Sequence, residues 1–383
     1  MIEKILLFEV NASNFNRLIM PLANYFVENG ISKKAIMVHD KHVPIHQVDR
    51  SKLSPSVSIE KINDIYDYTK KNAQVESIVF FTNGYRIADI YWTRKFRKAG
   101  AKCYQVQHGM YAEFLKRDFF GYFSSIGKKL SYLRFLSSIV FKLEIGLALY
   151  LVNKDFIKSF YINNLIKRNF KKSISPALSH HVFVWGEYWK QWFIDNHFYN
   201  LIDNFTVVGN PDYHVFIKDK ELEVVDEGTC YIAQTLVEDG RMAKEDFKGI
   251  IDRIADLFKE KMIIKLHPRS DKGLYERVVE NGGKLTYGFP VPKIYLGHYS
   301  SLLALAIGQN VPVYILKINN EDIPDYYVSS ATKIFDTVEE LISFDFDNCT
   351  NGTNGDINYY FENKQEHPFK MIGEKLFSLK DGI

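Results

Sequence analysis

The stretch Met262-Ile263-Ile264-Lys265-Leu266-His267-Pro268-Arg269-Ser270 joins a short apolar run to a basic turn. A run of this length that ends near a proline is typical of a buried strand. Helical patterns precede it at residues 244–259 and follow it at residues 272–281. Strands and helices that alternate in this way indicate an α/β protein with a parallel sheet.

The same alternation runs along most of the chain. In the N-terminal half, apolar runs predict strands at residues 4–10, 35–39, 77–81, 102–106, 181–185 and 205–208. In the C-terminal half, strands are predicted at residues 229–233, 262–266, 293–296, 311–315 and 333–335, with further helices at 301–308 and 338–343. Each half is therefore predicted to be a Rossmann-like α/β unit.

The length of the chain predicts two domains, because 383 residues exceed the usual size of a single hydrophobic core. Gly209-Asn210-Pro211 ends the last strand of the first half, and the highly charged residues 218–228 indicate a linker. We expect a first domain over residues 1–217 and a second over residues 226–383. The expected architecture is two Rossmann-like domains that face a central cleft.

A basic insertion interrupts the alternation at about residues 112–178. Residues 116–172 contain twelve Lys or Arg and three acids, whereas the whole chain has a net charge of +3. Apolar stretches within it are broken by Lys142 and Glu144 before they reach the roughly 20 residues that span a membrane. Two interpretations stay open: a helical element at an anionic membrane surface, or a core helix with a solvated basic face.

The N-terminus and the cysteines both favour a cytoplasmic protein, with peripheral membrane contact as the further option. Residues 1–8 run directly into a strand-like segment and lack the features of a signal peptide. Cys103, Cys230 and Cys349 are far apart and odd in number, which favours neither a disulfide framework nor a zinc site. We expect no metal and no nucleic-acid partner, since the basic stretch matches no nucleic-acid-binding motif.

Ligand-binding residues are expected directly after the strands, because open parallel sheets bind ligands at the carboxyl ends of their strands. Gln107-His108-Gly109 follows the strand at residues 102–106. His108 can act as a general base near neutral pH, and Gly109 lets an acceptor or backbone approach closely. A histidine in this position is more often structural, so both interpretations stay open.

The strand at residues 262–266 ends in groups that suit a phosphate. Lys265, His267 and Arg269 present several hydrogen-bond donors, and Pro268 fixes the backbone at the turn. The alternative is an ordinary basic turn.

The strand at residues 293–296 is followed by a second candidate anion site. Gly297 ends the strand, and Ser300 and Ser301 open a predicted helix whose first N–H groups favour negative charge. A helix cap is commonplace when it stands alone. Because both features belong to one domain, they favour a shared phosphate site.

A fourth strand end carries acidic residues. Glu238, Asp239 and Gly240 belong to the segment Gln234-Thr235-Leu236-Val237-Glu238-Asp239-Gly240, which follows the strand at residues 229–233. The carboxylates could contact donor hydroxyls, a base or an acceptor. Alternatively, they are solvated acids of a loop that precedes a helix.

The order of these motifs resembles a family. His108-Gly109, then Lys265-x-His267-Pro268, then Ser300-Ser301 are similar to the motifs of bacterial GT-B glycosyltransferases of surface-polysaccharide synthesis. The sialyl- and polysialyltransferases and the CDP-glycerol polymerases of teichoic-acid type resemble it most. Val184-Trp185-Gly186-Glu187 and Val208-Gly209-Asn210-Pro211 look like further segments of the same group, so the resemblance covers about residues 100–316.

The resemblance implies a sugar transfer that inverts the donor centre and needs no metal or cofactor. The first domain would bind a glycan or glycolipid acceptor, and the second a CMP- or CDP-linked donor. His267 with Ser300 and Ser301 would hold the phosphate of the cytidine nucleotide, and His108 would be the general base.

The chain departs from the sialyltransferase pattern at the base motif. Those enzymes carry an acid-acid-Gly motif on the N-terminal domain, whereas the two matches here, Asp226-Glu227-Gly228 and Glu238-Asp239-Gly240, come too late in the chain. A histidine base is closer to the glycerophosphate polymerases. The alternatives are therefore a CDP-glycerol- or CDP-ribitol-type polyol-phosphate transferase, a sugar-nucleotide epimerase, or a non-catalytic assembly scaffold.

Overall fold

The computed structural model describes most of the chain in two compact units. The described residues are 1–9, 12–40, 45–62, 68, 78–82, 87–110, 178–197, 204–218, 222–238, 240–307, 309, 311–318, 323–346, 357–362 and 366–380. The first unit comprises Met1–His108, Ser125–Gly209 and Lys364–Ile383, and the second comprises Gly109–Ser124 and Asn210–Asn363. Almost all of the predicted basic insertion lies outside the described residues.

The first unit contains a seven-stranded parallel sheet. Its strand order is β3-β2-β1-β4-β5-β6-β7. The strand in the middle of this order, at Ile78–Thr82, is nearly all apolar, as expected for a parallel sheet with helices on both faces. The strands are β1 (Ile2–Phe8), β2 (Ser32–Asp40), β3 (Val57–Ile62), β4 (Ile78–Thr82), β5 (Lys102–Val106), β6 (His181–Val184) and β7 (Phe205–Val207).

Helices connect these strands and bury aromatic side chains against the sheet. Phe15 and Phe26 from the first connection are fully buried in the same core as Phe81 of β4, and the ring centres of Phe26 and Phe81 lie 5.4 Å apart. The α-helices are α1 (Ala12–Asn14), α2 (Met20–Glu28), α3 (Ile87–Lys98) and α4 (Glu187–His197), with a π-helix at Phe15–Ile19 and 3-10 turns at Ile45–Gln47 and Arg50–Lys52.

The second unit contains a six-stranded parallel sheet in the order β10-β9-β8-β11-β12-β13. This is the doubly wound order, in which the first strand lies at the centre and the order of the strands reverses beside it. The strands are β8 (Val224–Ile232), β9 (Met262–Lys265), β10 (Lys284–Thr286), β11 (Val291–Gly297), β12 (Val313–Leu316) and β13 (Lys333–Phe335).

The helix after β8 shows how the second core forms. Phe247, Ile251, Ile254 and Ala255 recur at helical spacing and are all fully buried. The α-helices of this unit are α5 (Pro211–Tyr213), α6 (Lys244–Phe258), α7 (Glu276–Glu280), α8 (Ser301–Ile307), α9 (Asp325–Val328), α10 (Val338–Ile342) and α11 (Ile357–Tyr360). A π-helix lies at His214–Lys218, and 3-10 turns lie at Lys259–Lys261 and Lys272–Tyr275.

The last helix, α12 (Pro368–Lys380), returns to the first unit. Phe369, Ile372 and Leu376 join the core of that unit together with Ile31. A Cβ at Gly373 would collide with the Ile31 side chain, so glycine permits this close packing. The sequence instead assigned residues 226–383 to one continuous second domain.

The strand predictions agree closely with the structure, but the predicted linker was wrong in part. Strand β8 begins at Val224, so Asp226-Glu227-Gly228 belongs to a strand and not to a charged connection. Two edge strands, β3 and β10, were not predicted. In the part of the chain that the structure describes, no helix is long and apolar enough to cross a membrane.

Candidate functional site

A pocket of about 120 Å³ lies at the carboxyl edge of the second sheet. It is formed where the strand order reverses around β8, the place where open α/β sheets bind ligands. The described residues that line it are Ala233, Gln234, Thr235, Leu236 and Arg241 after β8, His267 after β9, and Ser300, Ser301 and Leu302 after β11. Residues from three separate strand ends therefore converge on one small space.

The turn after β8 is anchored to the core through Leu236, which is 1% exposed. Its carbonyl accepts hydrogen bonds from the backbone N–H groups of Arg241 (2.8 Å) and Met242 (3.3 Å). Gly240 makes the required reversal with φ of +66°, a conformation that side-chain-bearing residues rarely adopt. The turn brings Arg241 back to the pocket.

His267 follows β9 with its imidazole oriented by its own loop. The backbone N–H of Arg269 donates to Nδ1 of His267 at 3.1 Å, and the His267 N–H donates to the Ser270 hydroxyl at 3.1 Å. Because Nδ1 accepts a hydrogen bond, the neutral ring carries its proton on Nε2. His267 is therefore arranged to donate from Nε2.

The segment after β11 is held by two buried side chains. Tyr327 donates its hydroxyl proton to the Ser300 carbonyl. His298, which is 1% exposed, bonds the Leu316 carbonyl through Nδ1 at 2.6 Å. Burial lowers the pKa of His298 to about 4, so this histidine stays neutral. The Ser300 hydroxyl in turn accepts the Leu303 N–H at 3.2 Å.

Several predicted phosphate ligands lie near the pocket without lining it. Lys265 is 3% exposed, and its ammonium donates to the Leu266 carbonyl at 2.9 Å and lies 5.7 Å from the centre of the Phe216 ring. Burial lowers the pKa of Lys265. The exposed Arg269 donates to the Thr235 hydroxyl at 3.0 Å, and thereby joins two loops of the pocket.

Pro268 and Gly297 are explained by the backbone around them and not by contact with the pocket. Pro268 is exposed in the turn between His267 and Arg269. Gly297 is buried at the end of β11, where a Cβ would approach the Ile232 carbonyl of β8 to 3.2 Å. Close approach of the two strands explains this glycine.

The acidic segment after β8 contributes a loop contact in place of a ligand contact. A carboxylate oxygen of Glu238 accepts the backbone N–H of Asp271 at 2.7 Å. Gly240 supplies the turn, and Asp239 lies outside the described residues. Gln234, Thr235 and Leu236 of the same segment line the pocket, whereas Glu238, Asp239 and Gly240, which the sequence predicted as ligand contacts, are not among its described lining residues.

In the first unit, Gln107 and His108 after β5 make hydrogen bonds that contribute to the fold. Gln107 is fully buried, its side-chain oxygen accepts the Trp185 N–H at 2.8 Å, and its own N–H donates to the Phe183 carbonyl at 2.9 Å. His108 is half-buried, and Arg17 donates to its carbonyl. Gly109, which follows, is also half-buried and is grouped with the second unit.

Comparisons with known proteins address the fold. No protein-family model and no curated protein sequence matches the chain. A solved UDP-N-acetylglucosamine 2-epimerase is similar, with a TM-score of 0.51 and 11% identity over 99% of this chain and 96% of that one. The S. aureus MnaA structure with UDP has a TM-score of 0.50 and 10% identity, over 100% and 98% of the two chains. The wall teichoic acid polymerase TagF has a TM-score of 0.49 and 10% identity, over 99% and 89%.

The chain has the GT-B fold. The α/β class with two Rossmann-like units, predicted from the sequence, is thus confirmed. Similarity at 10% or 11% identity shows the fold alone. The reaction must therefore be argued from the residues of the site.

Proposed function

We propose that this protein is a glycosyltransferase that binds the phosphate of a nucleotide-activated donor in the pocket of the second unit. The observation that carries the proposal is the convergence of His267, Ser300 and Ser301 on that pocket. None of the described lining residues is acidic, so the pocket suits an anion. Hydroxyl and imidazole donors are groups that bind phosphate oxygens.

The transfer would be a single in-line displacement. An acceptor hydroxyl oxygen attacks the anomeric carbon of the donor sugar, and the bond from that carbon to the phosphate oxygen breaks. The leaving nucleotide takes the electron pair, and the acceptor proton passes to a general base. Because attack and departure occur on opposite faces, the configuration of the sugar carbon inverts.

His267 would stabilise the leaving nucleotide. Its Nε2 donor and the two serine hydroxyls would strengthen their hydrogen bonds as negative charge grows on the phosphate. The Arg269 N–H holds Nδ1 at 3.1 Å, so the ring is oriented before the donor binds. No ring reorientation would then be needed during the reaction.

His108 is proposed as the general base. Its position after β5 and its resemblance to the histidine base of the glycerophosphate polymerases support this role. Since Arg17 bonds the His108 backbone carbonyl, the main chain at this position is fixed independently of the imidazole. Replacing the side chain therefore leaves that anchor in place.

The finer identity of the substrates rests on the family resemblance. It supports a cytidine-linked donor, with sialic acid or a similar sugar, and an acceptor that is a surface polysaccharide or a lipooligosaccharide. We further propose that the basic stretch at residues 116–172 meets the anionic membrane surface at the cytoplasmic side.

Donor turnover with and without acceptor tests the function. The purified protein is incubated with CMP-, CDP- and UDP-activated sugars and CDP-glycerol, and products are followed by mass spectrometry. We expect acceptor-dependent transfer from a cytidine donor. Conversion of a UDP-sugar without any acceptor would instead establish an epimerase, and polyol-phosphate transfer from CDP-glycerol would replace the sugar donor.

The His108→Ala variant tests the base in the same assay. Loss of a positioned general base lowers the rate by about 10²- to 10⁴-fold, while nucleotide binding should be unchanged. His46→Ala is the matched control, because His46 is an exposed histidine of the same unit. Full transfer by His108→Ala would remove this residue from the mechanism.

A further inference from the structure

We propose that Arg241 supplies the permanent positive charge that binds the donor phosphate, and that the pocket is a subsite for the phosphate alone. The inference rests on the proposed function, since it takes the anion of the pocket to be the donor phosphate. Arg241 is not part of any motif noted in the sequence. The structure brings it to the pocket with Thr235, His267 and Ser300.

The position of Arg241 is fixed by its backbone. Its N–H donates to the carbonyl of Leu236 at 2.8 Å, and Leu236 is buried in the core of the second unit. Gly240 precedes it in the left-handed region, and a Cβ there would meet nothing within 4 Å. The glycine is therefore explained by the turn itself, which carries Arg241 back toward β8.

Two contacts hold the β8 turn against the loop that carries His267. Arg269 donates to the Thr235 hydroxyl at 3.0 Å, and the Glu238 carboxylate accepts the Asp271 N–H at 2.7 Å. These contacts use Nη2 of Arg269 and one carboxylate oxygen of Glu238. Arg241 and His267 are thereby presented to the same space from two loops that are bonded to each other.

The charges of the pocket favour an anion. Of the described residues that line it, Arg241 alone is charged at every physiological pH, and none is acidic. Two further cations lie near the pocket: Lys265 is buried with its ammonium on the Leu266 carbonyl, and Arg269 donates to the Thr235 hydroxyl. A guanidinium matches two phosphate oxygens with parallel hydrogen bonds, which an ammonium cannot do.

The size of the pocket limits what it holds. Its volume is about 120 Å³. Pockets that enclose whole drug-sized ligands measure about 300–1,000 Å³. The space therefore suits a phosphate group, and the nucleoside and the sugar would lie outside it.

Inorganic phosphate, pyrophosphate, CMP and cytidine are the probes for this subsite, and calorimetry with the full chain is the measurement. We expect the two inorganic anions and CMP to bind, and cytidine to bind at least about tenfold more weakly than CMP because it lacks the charge-assisted hydrogen bonds. Arg241→Gln should weaken phosphate and CMP by about tenfold or more. Arg241→Lys should recover part of the lost affinity, since lysine restores the positive charge but not the paired N–H donors of the guanidinium.

Arg253→Gln is the matched control. Arg253 belongs to the same unit and pairs with Glu339 on the surface, so this variant should bind all four probes as the wild type does. The unfolding midpoints of the variants without ligand should agree, which separates lost binding from lost folding.

The outcomes separate this inference from the proposed function. Wild-type phosphate and CMP affinity in Arg241→Gln would overturn the role of Arg241, even if the protein transfers a sugar. Anion binding that depends on Arg241 in a protein that turns over no nucleotide donor would support the subsite and overturn the glycosyltransferase.

Discussion

The two units share a strand order but use their strand ends differently. In both, the first strand of the unit lies inside the sheet, between the second and the fourth strands in chain order. In the second unit, the residues after three strands converge on a pocket. In the first unit, Gln107 directs both its side-chain oxygen and its backbone N–H to the neighbouring strand segment.

The difference teaches that a position after a strand does not by itself make a binding residue. Gln107 is fully buried and engaged with Trp185, whereas His267 is half-buried with Nδ1 held by its own loop. The side-chain oxygen of Gln107 is engaged with the backbone of the neighbouring segment and so contributes to the fold. In His267, the hydrogen bond from the loop to Nδ1 orients the ring with its proton on Nε2.

The largest effect is expected from acid, and it should affect both units. Burial lowers the pKa of His181 in the first unit and of His298 in the second to about 4, against 6.5 for an ordinary histidine. The unfolded chain binds protons between pH 6.5 and 4 while the native histidines do not, so stability is full above pH 6.5 and is lost as the pH falls toward 4. Each histidine should account for roughly 3 kcal/mol.

Urea unfolding between pH 4 and pH 7 measures this loss. His181→Gln and His298→Gln should each flatten the dependence, and the control His46→Gln, at an exposed position, should not. If only one of the two variants flattened the pH dependence of stability, a buried neutral histidine would account for acid sensitivity in only one of the two units.

A smaller effect is expected at Gln107, where the two units differ most. Gln107→Leu leaves the buried backbone N–H of Trp185 without its acceptor. This should lower the free energy of unfolding by about 1–3 kcal/mol. Gln191→Leu, at an exposed position on α4, should change it by less than about 0.5 kcal/mol. Undiminished stability together with lost transfer would instead indicate that Gln107 binds the acceptor substrate.

The smallest effect in stability is expected at Ser300. Its hydroxyl accepts the Leu303 N–H at 3.2 Å, as the Thr337 hydroxyl accepts the Glu340 N–H at 3.2 Å. Ser300→Ala and Thr337→Ala should therefore each lose about 1 kcal/mol of stability. Thermal-shift titration with CMP distinguishes them, because Ser300→Ala alone should also bind the nucleotide more weakly. Equal binding by both variants would leave Ser300 as a helix cap only.

Much of the sheet architecture followed from sequence because its strands are buried runs of apolar residues. Strand β5 begins and ends where it was predicted, at Lys102 and Val106. The two missed strands are edge strands: β3 contains Ser58, Glu60 and Lys61, and β10 is three residues long. Polar residues in β3 and the shortness of β10 remove the apolar run on which the other strands were predicted.

The site was predictable only where it follows a strand directly. His267, Ser300 and Ser301 come two to four residues after β9 or β11, and all three line the pocket. Arg241 comes nine residues after the end of β8 and reaches the pocket through the turn at Gly240. Thr235 belongs to a segment in which the sequence predicted ligand contacts for the carboxylates of Glu238 and Asp239 instead. A turn that returns a side chain leaves no periodic pattern in the sequence.

The return of α12 to the first unit was likewise invisible to local patterns. Its apolar residues Phe369, Ile372 and Leu376 predict a buried helical face but do not specify which sheet covers it. Their burial in the core of the first unit, together with the packing of Ile31 against Gly373, assigns the helix to that unit.

The central claim is that the pocket of the second unit binds the donor phosphate through His267. A calorimetric or thermal-shift titration of the wild type and His267→Ala with CMP, CDP, UMP, UDP and GDP tests it directly. A ligand at 100 times its Kd stabilises the native state by about 2.7 kcal/mol. We predict selective stabilisation by CMP or CDP that is lost in His267→Ala. Equal stabilisation of both proteins, or no response to any nucleotide, would contradict the account.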